Sequence, residues 1–501
     1  MRIKEIEIKN FRGFHKAHPI NLHDVGKNAI IYGENGSGKS SLFLALKQFL
    51  SAADAKIKLN NRNLFAAQND DAYIKLTLSN DNSYEWTETT VISESTELLA
   101  GYKYSGFLEY RDILATHYLN PNETKVNLFE LLIFTLLADI ENPKDTTVTF
   151  KKHWERIQNG IPKDNRKQAE IKSLELDIQE FSEGINDILE QLQTELTSIF
   201  SDFKYGKVKL AFDPVYFRYN RSTKSITSNI STQNLKDYKP EIILNVEFAD
   251  RKLEGEHPKY LNEAKLSAIG ISIYLAALQL KPISSSDLAI LVLDDVLIGL
   301  DMSNRLPIID IIDKHFINKY QIFLMTYDLE WFEILCKHFV EPNKATWKAF
   351  EFYSADDREI ELPIFSERGK GRDEYIKRAD EYYKSNDYKA AAVYTRSAYE
   401  SILKSFCNSK HLPVPYFDKP KDLTTDKLWD AVKKYISEHQ KLVDRTTGRK
   451  ENYLEQETIT AIDRAVATVL NPLSHSRPIS IHRREVKNAI DAIKVLDNRL
   501  K

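Results

Sequence analysis

Apolar and polar positions follow a few distinct rhythms along this chain, and each rhythm predicts an element. Residues 28–32, 289–293 and 321–325 are almost uninterruptedly apolar, as expected of strands buried on both faces of a parallel sheet. Residues 41–49 and 269–280 read as helices, the second rich in Ala, Leu and Ile. Between them, Ile171, Leu174, Ile178, Phe181, Ile185, Ile188, Leu192, Leu196 and Phe200 recur at three- and four-residue spacing. That stripe predicts one helix over about 165–200. It suits either an inserted arm of roughly 50 Å or an amphipathic helix packed on a globular head. Residues 207–210 and 242–246 predict shorter strands, and the Ser-, Thr- and Asn-rich span 219–233 reads as a mobile loop. A polar, glycine-containing stretch at 367–371 is a candidate linker. Beyond it the pattern turns helical. Tyr375, Ala379, Tyr382 and Tyr383 precede a turn at 385–387, a helix follows over 390–406, and a last helical pair brackets 470–477.

Composition narrows the class. A chain of 501 residues suggests about three domains, and 42% hydrophobic with 29% charged residues suits a globular, soluble protein. No apolar run approaches the roughly twenty residues of a membrane span, and residues 1–6 alternate charge with apolar groups, unlike a secretory segment. Cys336 and Cys407 lack metal-ligand spacing, so a reducing cytoplasm is the expected compartment and a zinc hook is excluded. A formal net charge of −3 leaves nucleic-acid contact to local patches.

The candidate chemistry starts at Gly33-Glu34-Asn35-Gly36-Ser37-Gly38-Lys39-Ser40, which matches G-x-x-x-x-G-K-[ST] between a strand and a helix. Its glycines let backbone N–H groups turn toward a triphosphate, and the following helix presents its positive dipole end. Lys39 is placed to reach the β- and γ-phosphates of ATP, and the Ser40 hydroxyl to take one Mg²⁺ position. The apolar run 289–293 ends in Asp294 and Asp295, at the sheet edge where ligands bind. Asp294 is the expected second Mg²⁺ ligand, and Asp295 the expected general base for an attacking water.

Five motifs in order then resemble the SMC/RecF/OLD-like ABC ATPases over about residues 1–360. They are the turn at 8–14, the phosphate loop, the stretch 260–268, the Asp294–Asp295 strand end and the turn 298–301, followed by strand 321–328. The resemblance implies an α/β ABC-type head over 1–366 carrying the helical insertion. It implies that Arg12 reaches the nucleotide phosphates alongside Asn35 to Ser41 (Asn35, Gly36, Ser37, Gly38, Lys39, Ser40, Ser41). Asn262, Ser267 and Asp301 would complete a second subunit's site, so a homodimer or higher homo-oligomer is expected. This chain departs from the family pattern at Asn262 and Ala264 of the signature, at Asp295 for a commoner glutamate, at Tyr327 for a histidine and at His117 for a glutamine. Slow hydrolysis, with ATP acting as a clamp, follows from those departures.

The tail over 367–501 resembles HEPN-like all-α bundles. Arg396 and Glu400 share a helix face at i,i+4, and with His475 they resemble the catalytic set of tRNA-cleaving anticodon nucleases of the PrrC/RloC type. The pair also suits a structural ion pair. Arg477, His482, Arg483 and Arg484 form a basic cluster suited to DNA or RNA phosphates, or to a solvated helix start. The whole resembles ATPases of bacterial anti-phage systems of the Septu, PARIS and RloC types. That implies an ATP-gated sensor or scaffold controlling a separately encoded nuclease effector. Two other readings stay open: a ribonuclease in the chain's own bundle, and a RecF/SMC-like DNA repair ATPase.

Overall fold

A computed structural model describes residues 1–119, 123–164, 166–228, 239–297, 299–354, 363–368, 372–384, 386–413, 424–439, 452–470 and 483–500. The chain divides into two compact units, Met1–Lys348 and Ala349–Lys501, a division earlier in sequence than the 366/367 boundary read from composition.

The first unit opens with strand β1 (Ile3–Lys9), antiparallel to β2 (His18–Asn21). Strand β3 (Asn28–Gly33) feeds the phosphate loop and helix α1 (Lys39–Ala55). Strands β4 (Tyr73–Leu78) and β5 (Ser83–Thr87) complete an antiparallel sheet of order β2-β1-β4-β5. The alternating pattern of β1, with Ile3, Ile6 and Ile8 buried, marks a sheet with one face on the core.

The central sheet is built differently. Strands β6 (Gly106–Glu109), β7 (Ile290–Asp294) and β8 (Gln321–Thr326) join β3 in the order β3-β8-β7-β6, all parallel. Every residue of β7 and β8 is buried, as their unbroken apolar runs predicted. Because register pairs Thr326 with Tyr32, and Asp294 with both Met325 and Glu109, all four strands end on one edge. The phosphate loop leaves from that same edge.

The periodic stripe forms one helix, α2 (Gln168–Asp202), and its apolar positions are covered. Phe181 meets Phe150, Trp154 and Phe217 at ring-centroid distances of 5.8, 5.1 and 5.6 Å. Strands Val208–Phe212 and Phe217–Asn220 lie on it, tied by Gln193 Nε2 to Leu210 O (2.7 Å) and by Phe217 N to Ser182 Oγ (3.0 Å). The packed-helix reading therefore holds and the projecting arm does not. The span read as a mobile loop is partly a hairpin: Phe217–Asn220 pairs antiparallel with Ser225–Ser228, while 229–233 lies outside the described residues. Helix α3 (Glu263–Gln279) starts six residues before Ile269. The Asn262 side chain caps it by accepting from Lys265 N (3.2 Å). Nearly all of α3 after Lys265 is buried, so it is a central helix. Helix α4 (Leu329–Leu335) follows β8.

The second unit opens within the antiparallel pair β9 (Trp347–Ser354) and β10 (Pro363–Arg368). Glu367 and Arg368, read as linker, end that second strand; 369–371 lie outside the described residues. Helices α5 (Arg372–Lys384), α6 (Tyr388–Ser409), α7 (Thr425–Glu438), α8 (Gln456–Ala465) and α9 (Arg483–Arg499) enclose one apolar core. Tyr375, Tyr394 and Tyr399 are buried in it, and Asp387 caps α6 through Ala390 N (3.0 Å).

Candidate functional site

The phosphate loop reaches its shape through two glycines in the left-handed region, Gly36 at φ 86° and Gly38 at φ 100°, the latter at the N-cap of α1. Asn35, Gly36 and Ser40 are exposed at the rim, whereas Ser37 and Lys39 are buried. The Lys39 ammonium donates to Gly33 O (2.6 Å) and Glu34 O (3.3 Å), and it lies 3.8 Å from Asp295 Oδ2. Burial lowers its pKa, against the opposing pull of Asp295 and Asp294.

The two aspartates sit across from this lysine. Asp294 is 5% exposed and its Oδ1 has no hydrogen-bond partner, while its carboxylate accepts from the Ser40 hydroxyl. Burial pushes its pKa up to about 6, with Ser40 opposing and the Asp295 charge adding. Asp295 leaves β7 at φ 50°, a conformation Asp tolerates better than most residues. Tyr327 N donates to its Oδ1 (3.0 Å), and burial raises its pKa against the Lys39 charge. Two buried oxygens short of partners, Ser37 Oγ in the loop and Asp294 Oδ1 at the strand end, accompany the buried Lys39 ammonium. That donor set fits a triphosphate with Mg²⁺.

Arg12 stands at the margin of the same loop. It is exposed, adopts φ 49°, and its turn abuts α1 through Gly13 N to Ser41 Oγ (3.3 Å). A neighbouring loop holds that turn by Arg12 N to Asn61 O (3.0 Å) and Asn63 Nδ2 to Arg12 O (2.5 Å).

The RecF/RecN/SMC N terminal domain family matches residues 2–341, which span both halves of this constellation. The chain belongs to that family. Members of the RecF/RecN/SMC family are ABC-type ATPases that use ATP and Mg²⁺. Among solved structures, the Pyrococcus furiosus Smc head domain with an extended coiled coil, bound to the C-terminal domain of ScpA, is 14% identical. It aligns over 73% of this chain and 96% of its own, with a TM-score of 0.39. The Thermotoga maritima SMC head domain is 13% identical over 73% and 98%, with a TM-score of 0.35. A search of curated proteins returns no match.

The remaining sites expected of a RecF/RecN/SMC head disperse. Asn262 and Asp301 are exposed helix caps, Asp301 accepting from Asn304 N (3.1 Å) and Nδ2 (2.7 Å). Ser267, by contrast, is fully buried in α3, where a Cβ on Gly299 would come within 2.6 Å of its Oγ. It therefore offers nothing to a second subunit. His117 is 7% exposed; its Nδ1 meets Thr116 Oγ1 (3.2 Å) and its Nε2 lies 3.8 Å from Glu263 Oε1, so it packs on the start of α3. Reading the sequence missed Glu109, which neighbours Asp294 on β6; the charge ending the short run Gly106–Glu109 is its signal. It also missed Arg305, four residues after Asp301, which bridges Leu300 O (2.8 Å) and Asp328 (2.6 Å).

In the second unit Arg396 Nε donates to Glu400 Oε1 (3.1 Å) and Arg396 Nη1 to Leu470 O (3.1 Å), and Thr425 Oγ1 donates to Glu400 Oε1 (3.2 Å). His475, Arg477 and His482 lie outside the described residues. One further cluster, His153, Asp177 and Glu180, has ligand-like spacing. Lys144 N donates to Asn142 Oδ1 (3.0 Å), which turns the Asn142 amide NH₂ toward His153 Nδ1 (2.7 Å). His153 Nε2 is then the protonated nitrogen facing Asp177 (3.3 Å), whose oxygens Arg156 already engages at 2.6 and 3.1 Å. His153 and Asp177 are thus already engaged by Asn142 and Arg156.

Proposed function

We propose that this chain binds ATP with Mg²⁺ at the edge where β3 and β7 end, hydrolyses it slowly, and uses the bound state as a gate. The observation that carries the reading is the buried set Lys39, Ser37 and Asp294, with Ser37 Oγ and Asp294 Oδ1 short of partners, at an exposed, glycine-shaped loop. Lys39 and the loop N–H groups hold the phosphates, Ser40 and Asp294 hold the cation, and Arg12 approaches from the margin. Bound Mg²⁺ supplies charge neutralisation at the phosphate oxygens. Asp295 Oδ2, the oxygen Tyr327 does not engage, accepts a proton from an attacking water; its raised pKa suits that task. Lys39→Ala is expected to weaken ATP binding at least about 100-fold, consistent with loss of a charge-assisted contact. Equal retention of labelled ATP by wild type and variant would remove the phosphate-loop assignment.

We further infer a biological setting: an ATP-gated sensor or scaffold of a bacterial anti-phage system that restrains or releases a separately encoded nuclease. Support comes from family membership together with an added helical unit after residue 348. A ribonuclease in the HEPN-like bundle is the second reading, and Arg396 bonding to Leu470 O, beside the segment carrying His475, is what favours it. His475→Ala separates the two: defence persists with a separate effector and is lost with an intrinsic ribonuclease. Deletion that sensitises cells to DNA damage but leaves phage plating unchanged would instead support a repair ATPase.

A further inference from the structure

Asp295 leaves β7 in the left-handed region, so the strand does not dictate where its carboxylate points. The direction is set from outside, by the N–H of Tyr327 on Oδ1 and by the Lys39 ammonium 3.8 Å from Oδ2. Tyr327 is held in turn by its neighbour Asp328. The Asp328 N–H donates to Thr326 Oγ1 (3.1 Å), and its Oδ1 caps α4 through Trp331 N (3.1 Å). Its other oxygen, Oδ2, accepts from Arg305 Nη1 (2.6 Å). Arg305 reaches backward too, Nε donating to Leu300 O (2.8 Å) in the Gly299–Asp301 turn. The Arg305 side chain is only 12% exposed, and its guanidinium clamps the two chain segments that flank Asp295. Asp295, Arg305, Tyr327 and Asp328 line one cavity, whose other walls include Leu297, Ile308 and Trp331.

We propose that Arg305 is a positioning residue for Asp295: it locks Leu300 to Asp328, fixing the base carboxylate and linking its orientation to the surface turn at Asp301. The proposal rests on the reading of Asp295 as the base. The fork matters more than the charge, because a lysine ammonium can pair with Asp328 but cannot reproduce both bonds in one plane.

The test uses the full chain with Arg305→Lys, Arg305→Ala and Asp328→Asn, measuring labelled-ATP affinity, steady-state hydrolysis and thermal midpoint. Asp328→Asn keeps an acceptor for the α4 cap while discharging the clamp. Expected is ATP affinity within about twofold of wild type, with kcat lowered about 10- to 100-fold and KM nearly unchanged, the split produced by a misplaced catalytic group. Combining Arg305→Lys with Asp295→Asn adds no further loss. A folded Arg305 variant with wild-type kcat, or losses of affinity and turnover in parallel, would overturn the positioning role alone. A wild-type chain that binds ATP without ever turning it over would overturn the hydrolysis reading, and this role with it.

Discussion

Asp294 shows how a single residue carries a burial cost that Ser40 and Lys39 offset only in part. Its carboxylate is buried with one oxygen unpaired, and its pKa is raised to about 6. Between its ordinary value and 6 the folded chain binds more protons than the unfolded one. Stability from this group therefore falls as pH rises through that window, and the penalty is fully present above it. Asp294→Asn is expected to raise the thermal midpoint of the ligand-free protein at pH 7.5, by the equivalent of about 1–3 kcal/mol. It should also lose the stabilisation that Mg²⁺ with ATP gives the wild type. A variant less stable than wild type at pH 7.5 would show that the buried carboxylate is not strained. The phosphate loop and this aspartate were legible because their spacing encodes the chemistry. The left-handed turns at Arg12 and Asp295 were not, since nothing in their side chains demands φ near 50°.

At the scale of elements, sequence periodicity gave helix α2 its length but not its surroundings. A stripe at three- and four-residue spacing looks the same on an arm and on a packed helix; what decides is the aromatic group around Phe181, assembled from Phe150, Trp154 and Phe217, distant in sequence. Gly184 records that packing. It sits mid-helix, where alanine would ordinarily gain about 1 kcal/mol. Here a Cβ would fall 1.7 Å from Asn142 Oδ1, the atom that orients Asn142 against His153. Gly184→Ala is accordingly expected to destabilise the protein by about 1–3 kcal/mol net, read from urea unfolding. A stabilised variant would mean that Asn142 does not cross α2 there. Helix α3 offers the complementary lesson. Its near-continuous Ala, Ile, Leu and Ser composition signals a helix buried all round, and that signal overrides the motif placing Ser267 at a subunit surface.

For the whole molecule, the exposed rim of the phosphate loop raises the question of what faces the nucleotide. Asn35, Gly36 and Ser40 are exposed, so within the first unit the loop would cradle a triphosphate from one side and leave the other to solvent. A second copy could supply the facing wall, and the geometry restricts which residues serve. Ser267 is excluded by burial, leaving the capped start of α3 at Asn262–Lys265 and the exposed Asp301 turn. Lys265 is the cation there, held near Asn262 Oδ1 (3.3 Å) with the rings of Tyr205 and Phe248 about it at 5.6 and 5.8 Å. A helix start with an adjacent ammonium is attracted to phosphate, whereas Glu263 and Asp301 repel their counterparts until a nucleotide and its cation intervene. Self-association should therefore require ATP with Mg²⁺ and persist longest when hydrolysis is blocked. Asp295→Asn, which keeps an αL-tolerant residue at φ 50°, is the variant to use. With ATP and Mg²⁺ it is expected to double in mass by light scattering, and to revert when Asn262→Trp is added, with labelled-ATP binding unchanged by that second substitution. Association that is indifferent to nucleotide, or to the bulk placed at Asn262, would show that copies of this chain meet through some other face.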